Sequence, residues 1–255
     1  MKFHLTEQFM AENHFDLEKY WLFLAESGSF AQNLNTETSD HDMVGVTALP
    51  FEYMVMPYTN NGVMLPWTHW EWKDANGFSE GKFYSLNRFV MLLVEGNPNV
   101  VSLLWNKPEF NQVNPLFKDF LEYRSEFLSM QTVMHSMGFA KREVSEMRVV
   151  TKKANEKKQQ MVKSFGYYPK SAVSALRVLL MAYEMTQTGE CSVYRTKDKE
   201  MLMSVKRGEW TLQEVLSKYD ELYGQLQNLK HTVLPLEPNK NLAFELTYAL
   251  HKKMY

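Results

Sequence analysis

The chain has a single cysteine, Cys191, in 255 residues. That excludes an internal disulfide and a cysteine-rich zinc site, and it fits a reducing compartment. Its seven histidines show no H-x-x-x-H spacing, so the usual helical zinc pair is missing as well. No apolar run approaches the roughly 20 residues of a membrane span. The opening MKFHLTEQFMAENHFDLEKYW has no apolar secretory core and reads as an amphipathic helix. A soluble cytoplasmic protein with no membrane partner is the expectation. Charge of one sign is also lacking: 28 Lys and Arg against 30 Asp and Glu leave a net charge of −2. Any polynucleotide contact must therefore come from a local patch. Internal repeats and low-complexity tracts are absent. What is there, 45% hydrophobic and 23% charged residues, describes a globular chain able to bury one large core or two modest ones.

The first half mixes strand and helix signals. Residues 20–25 (YWLFLA) read as a buried strand and 43–48 (MVGVTA) as a second. Residues 50–81 are rich in Pro, Asn, Gly and Trp and read as an insertion with one or two edge strands. Residues 82–84 predict a third strand, leading into a helix at 86–94. Gly96-Asn97-Pro98-Asn99 breaks that helix and starts another, with Pro98 near its first turn. From about Asn114 the chain reads almost wholly as helix: 116–137, 140–163, 171–188 ending at Gly189, 201–205, 212–229 and 241–252. An α+β half of residues 1–113 followed by a helical half of 114–255 is the expected organisation.

The chemistry concentrates in GSFAQNLNTETSDHDMVGV. Asp40 and Asp42, at i and i+2, point to one face if they lie on a strand. That arrangement grips a divalent cation from one side and leaves its other positions open for phosphate. Gly28-Ser29 upstream supplies a tight turn whose backbone N–H groups and hydroxyl suit a triphosphate. An isolated SDxD is more often a polar capping loop, but the preceding Gly-Ser and the following apolar run favour metal binding here. A third carboxylate normally completes such a site. Glu80 is favoured, Glu71 and Asp74 being alternatives; Lys82 shares the face of Glu80 and offers no acid. His41 falls on the opposite face and reads as structural. Trp67, Trp70 and Trp72 suit a core or lid better than base stacking. Lys141, Arg142, Arg148, Lys152, Lys153, Lys157, Lys158 and Lys163 outnumber Glu143, Glu146 and Glu156. Such a run is usually a solvated face; guidance of a nucleic-acid acceptor is the second reading. Lys170 and Arg177 lie seven residues apart on one face of an apolar helical segment. A buried cation there calls for a phosphate or an acidic partner.

With these residues in place, the chain resembles the DNA polymerase beta-type nucleotidyltransferases, in a bacterial and phage branch associated with RNA repair. The likeness begins at GSFAQNLNTETSDHDMVGV. It continues through EGKFYSLNRFVMLLVEGNPNVVSLLW, SMGFAKREVSEM, YYPKSAVSALRVLLMAYEMTQTGE and LPLEPNKN, in order over most of the chain. The resemblance implies a polymerase-beta-type core, a short mixed sheet with flanking helices, plus a C-terminal helical domain. It implies Gly28 and Ser29 as the triphosphate turn, Asp40, Asp42 and Glu80 as catalytic metal ligands, and Lys170 and Arg177 as nucleotide-binding positions. The implied cofactor is Mg²⁺, with Mn²⁺ as an alternative, and the implied substrate an NTP. The implied acceptor is a hydroxyl, with an RNA 3′ end favoured over a protein or a small polyol. Asn33 stands where the family often has glycine, Phe30 where it often has arginine, Ser102 where it has glutamate, and Glu80 where Asp is commoner. The alternative is a non-catalytic, antitoxin-like binding protein that keeps the fold.

Overall fold

The computed structural model describes residues 17–51, 69–73, 79–149 and 156–255; at 17, 18, 69–73, 79, 80 and 157 it describes the backbone alone. Of the opening helix expected over the first 21 residues, 17–20 are described and helical while Trp21 begins a strand; residues 1–16, Trp67 and Asp74 lie outside the described residues, as do the side chains of Trp70 and Trp72. The chain divides into two compact units. The first is built on the sheet and takes in Met1–Val94, Asn106–Phe127 and Asn239–Tyr255; the second is helical and takes in Glu95–Trp105 and Leu128–Pro238. Residues 114–127 and 239–255, grouped with the helical half from sequence, thus belong to the sheet unit.

The sheet unit opens with α1 (Leu17–Tyr20), β1 (Trp21–Ser27), α2 (Gly28–Ala31) and β2 (His41–Thr47). β3 (His69–Lys73), β4 (Ser79–Ser85) and α3 (Leu86–Val94) follow. The five-stranded sheet has the order β3-β4-β2-β1-β5, where β5 is Asn111–Val113. β1 runs antiparallel to β2 and β5, β2 parallel to β4, and β3 antiparallel to β4. Leu22, Phe23, Leu24 and Ala25 are all buried, so β1 is covered on both faces and reads as a continuous apolar run rather than an alternating one. Gly45 has a packing reason: a Cβ there would lie 2.1 Å from the Phe83 ring.

The sheet and the segment after β5 are joined by stacked phenylalanines. Phe117 stacks on Phe23 at 5.0 Å and on Phe120 at 5.0 Å, and meets Phe89 edge-on at 5.7 Å. This contact accounts for a departure from the expected long helix at 116–137. The apolar residues have helical spacing, but the chain makes a 3₁₀ turn at Pro115–Phe117, the short α5 (Lys118–Glu122) and a second 3₁₀ turn at Arg124–Phe127. Asn114 fixes the first of these: its Oδ1 accepts from Leu116 N at 3.0 Å and its Nδ2 donates to the Trp21 carbonyl at 3.2 Å. The C-terminal helix α11 (Lys240–Met254) packs on α3 and on these turns. The Tyr255 hydroxyl donates to the Leu49 carbonyl at the exit of β2.

The helical unit comprises α4 (Pro98–Leu103), α6 (Met130–Glu146), α7 (Glu156–Phe165), α8 (Pro169–Thr188), α9 (Lys199–Lys206) and α10 (Leu212–Gln227). The helix expected over 140–163 is interrupted: α6 stops at Glu146 and α7 starts at Glu156. α8 is the core helix, packed by α6, α9 and α10 and buried around most of its circumference. Pro169 starts it, and Gly189 ends it in the left-handed region at φ 70°. Among the described residues no helix is long and apolar enough to cross a membrane.

Two outcomes follow from the sheet unit. Phe117 is fully buried, so Phe117→Ala should cost ~3–5 kcal/mol, read as a lower urea midpoint with an unchanged slope. The second concerns His251 on α11, whose buried Nε2 has no partner among the described residues. Burial lowers its pKa below the ordinary 6.5, so the folded state favours the neutral ring. Its contribution is present above about pH 6.5 and is lost as pH falls toward the folded value. His251→Gln should flatten the fall in melting temperature between about pH 7.5 and pH 5.5; an unchanged slope would assign that fall to other groups.

Candidate active site

The turn between β1 and β2 is shaped by one glycine. Gly28 sits at φ +60°, and a Cβ added to it would lie 2.0 Å from Asp42 Oδ2 and 2.9 Å from Asp42 Cγ. The Asp42 carboxylate therefore rests directly over the Gly28 backbone. The register of β1 and β2 creates this approach by pairing Ser27 with Asp42. After Gly28 the chain makes the single turn of α2, with half-buried Ser29 accepting from Leu34 N at 2.8 Å through its carbonyl. Asn33 closes the turn at φ 61°. It stands where the resembled family often has glycine, and asparagine is among the few side chains that enter the left-handed region at modest cost. Asp40 immediately precedes β2 and is exposed, while Asp42 is half-buried. The loop leading to them is pinned by Ser39 Oγ, which accepts from Thr36 N at 2.9 Å.

His41, between the two aspartates, is engaged elsewhere. Its Nδ1 lies 2.6 Å from Glu26 Oε1, and its ring stacks on Phe30 with centroids 3.9 Å apart. Glu26 is buried at the end of β1, where a carboxylate needs a partner. The Glu26 carbonyl accepts from Asn106 Nδ2 at 2.6 Å. His41 thus has the structural role expected of it, and Phe30 serves as its stacking partner. The sequence reading missed Glu26; the signal was an acid closing the otherwise apolar run YWLFLA.

Backbone register places the remaining acidic candidates. Ser27, Asp42, Glu80 and Lys73 occupy one row across β1, β2, β4 and β3. Ala25, Val44, Lys82 and Glu71 occupy the row two residues further along. Glu80 is therefore the lateral neighbour of Asp42, whereas Glu71 lies two strands from β2. Among the described side chains no cluster of three or more metal ligands forms; those of Glu71 and Glu80 are not among them.

Lys170 and Arg177 belong to the helical unit and have unlike surroundings. Lys170 is exposed in the first turn of α8. Arg177 is buried, contacts Met181 Sδ at 2.9 Å and leaves Nε without a hydrogen-bond partner among the described residues. Burial pushes its guanidinium down to about 10, still high enough to stay charged at neutral pH. Nearby Arg195 is the opposite case, with all five N–H bonds used. Its contacts to Glu184, Asp198 and the Ser192 carbonyl span 2.5–2.9 Å, and those carboxylates raise its pKa. Cys191 is buried in the same region, and desolvation pushes its thiol up to about 12, which makes it unreactive.

Curated proteins yielded no match. Among solved structures, a nucleotidyltransferase-like protein from Exiguobacterium sibiricum 255-15 is similar at 13% identity and a TM-score of 0.29, over 97% of this chain and 74% of that one. The family model described as RNA repair pathway DNA polymerase beta family matches residues 5–207, most of the chain. By that match, the protein belongs to the RNA repair pathway DNA polymerase beta family.

Proposed function

We propose that the protein is a Mg²⁺-dependent nucleotidyltransferase that moves an NMP from an NTP to a hydroxyl acceptor, the 3′ end of an RNA being the favoured one. In the reaction the acceptor oxygen bonds to the α-phosphorus, the bond from that phosphorus to the β-phosphate bridge breaks, pyrophosphate leaves, and the hydroxyl proton passes to solvent. The observation that carries this reading is the approach of Gly28 to Asp42. A glycine at positive φ, pressed against a carboxylate by the pairing of Ser27 with Asp42, puts the backbone of a phosphate-suited turn beside an acid suited to a cation.

The donor chemistry fits a hard divalent ion. Asp40, Asp42 and, by its register beside Asp42, Glu80 offer only oxygen, the preference of Mg²⁺, and Mn²⁺ accepts the same set. When bound, the metal supplies charge neutralisation at the triphosphate and a more acidic attacking hydroxyl. The chain's own contribution is positional. Gly28 and Ser29 bind the β- and γ-phosphates, and the carboxylates fix where the α-phosphate lies. The Glu26–His41–Phe30 cluster holds the start of β2 still.

Two variants test the assignment. Asp42→Asn keeps shape and removes charge, so transfer should fall by at least ~100-fold and Mn²⁺ binding measured by calorimetry without nucleotide should weaken. Gly28→Ala forces a left-handed alanine, at ~1–2 kcal/mol, and drives a methyl into the carboxylate. Transfer and Mn²⁺ affinity should both drop while the circular dichroism spectrum stays native. Near wild-type turnover in Asp42→Asn would overturn the reading.

A further inference from the structure

The helical unit carries a groove of about 220 Å³ between the start of α4 and the face of α6. Two stretches quoted above for their family likeness, GNPN and SMGFAKREVSEM, supply most of its wall. Its construction is rigid. Gly96, at φ +70°, lies so close to α6 that a Cβ would sit 2.9 Å from Thr132 N. Asn97 Oδ1 accepts from Asn99 N and Val100 N at 3.1 and 3.3 Å. Gln131 Nε2 donates to the Glu95 carbonyl at 3.1 Å. The groove is thus formed before any ligand arrives, which lowers the ordering cost of binding.

From α6, His135, Gly138, Phe139 and Arg142 line it at helical spacing, facing Asn97 and Asn99. The Arg142 guanidinium lies over the Phe139 ring, 5.4 Å from its centroid. Apart from this contact, the Arg142 guanidinium, the His135 ring and the Asn99 side-chain amide make no hydrogen bond or ion pair with the described residues. Among the described residues no carboxylate lines the groove. Exposed Lys141 and Arg148 add positive charge on the same stretch, against Glu143 and Glu146.

Gly138 is the independent clue. It lies in the middle of α6, where glycine is the poorest helix former apart from proline. Neither a positive φ nor a close neighbour calls for it, because a Cβ there would meet none of the described residues within 4 Å. What it does is leave the floor of the groove open.

We propose that this groove binds single-stranded nucleic acid, seating a base against Phe139 and Arg142 and the adjoining phosphate against Arg142 and His135. Arginine over an aromatic ring is a stacking platform for bases, and unpaired amide and imidazole donors suit base edges and phosphates. The volume falls below the ~300–1,000 Å³ of a site that encloses a whole small molecule; it suits one unit of a strand that continues beyond it. Identifying that strand as the acceptor rests on the transferase reading, but binding itself does not.

Fluorescence anisotropy on the full chain, with a short labelled oligoribonucleotide at two salt concentrations, tests it. Arg142→Ala and Phe139→Ala should each weaken binding by ~10-fold or more, and Asp42→Asn should bind as wild type does. Gly138→Ala should raise the melting temperature by ~2–4 °C yet weaken binding, a combination that a structural glycine would not produce. DNA of the same sequence binding as tightly supports the shared single-strand chemistry; weaker DNA binding adds recognition of the 2′-hydroxyl. Gly138→Ala and Phe139→Ala both binding as wild type would overturn the proposal. So would inorganic polyphosphate binding as tightly as RNA with no loss in Phe139→Ala, because the groove would then be a bare anion site. Loss of transfer in Asp42→Asn with RNA binding intact separates the two readings.

Discussion

The Asp42 carboxylate occupies the space that a Cβ at position 28 would need, and much of the sheet unit can be understood from that one exclusion. Gly28 is permitted there because the chain must also turn through positive φ as it leaves β1. The turn leads into Ser29 and α2, and the antiparallel return sets Ser27 opposite Asp42. A shift of one residue in the β1–β2 register would move Asp42 to the other face and bring His41 over Gly28. The Glu26–His41 contact at 2.6 Å and the His41–Phe30 stack oppose that slip. They occupy the alternate face with partners that a slipped strand would lose. Burying Glu26 beside a histidine thus serves register at the place where register decides which side chain meets the turn.

The helical unit handles buried charge in two ways. Arg195 is surrounded by acceptors that saturate it, and breaking such a set strands two carboxylates. Arg177, one element away, has a thioether contact and, among the described residues, no hydrogen-bonded carboxylate. Its lowered pKa and the raised pKa of Cys191 share one origin, removal of water from a tightly packed helix. Neither shift reaches the neutral range, so this core contains a fixed positive charge and an inert thiol.

Much of this was legible in the chain, for identifiable reasons. β1 and β2 announce themselves through apolar runs, and α3, α4 and α8 through spacing and terminal signals such as Asn97-Pro98 and Gly189. Gly28 was legible because a turn through positive φ, with a carboxylate pressed against it, needs glycine. β5 was not: Asn111–Val113 is polar and short, and it is a strand only because β1 offers an edge to pair with. The breaks within 116–137 were hidden for a related reason. Phe117, Phe120 and Phe127 keep a helical period, but stacking on Phe23 and the edge-on contact with Phe89 outweigh local propensity. Lys170 and Arg177 show the limit of spacing arguments. They share a helix face by count, yet Lys170 is the exposed residue of an otherwise buried first turn of α8 and Arg177 lies in its buried middle.

The parallel pairing of β2 with β4 has a consequence of its own. Asp42 and Glu80 each stand second in their strands. An antiparallel pair would set the start of one strand against the end of the other and separate them by most of the strand length. Parallel pairing aligns the two starts and makes 42 and 80 lateral neighbours. It also cannot be made by a tight hairpin; a longer crossover connection is required. The span between β2 and β4 meets that requirement and carries β3, which pairs antiparallel on the outer side of β4. On the transferase reading, the Pro-, Asn- and Trp-rich stretch from 50 to 81 is therefore the connection that allows a third carboxylate to stand beside the aspartates. Shortening it to a hairpin would force β2 and β4 antiparallel and carry position 80 away from position 42.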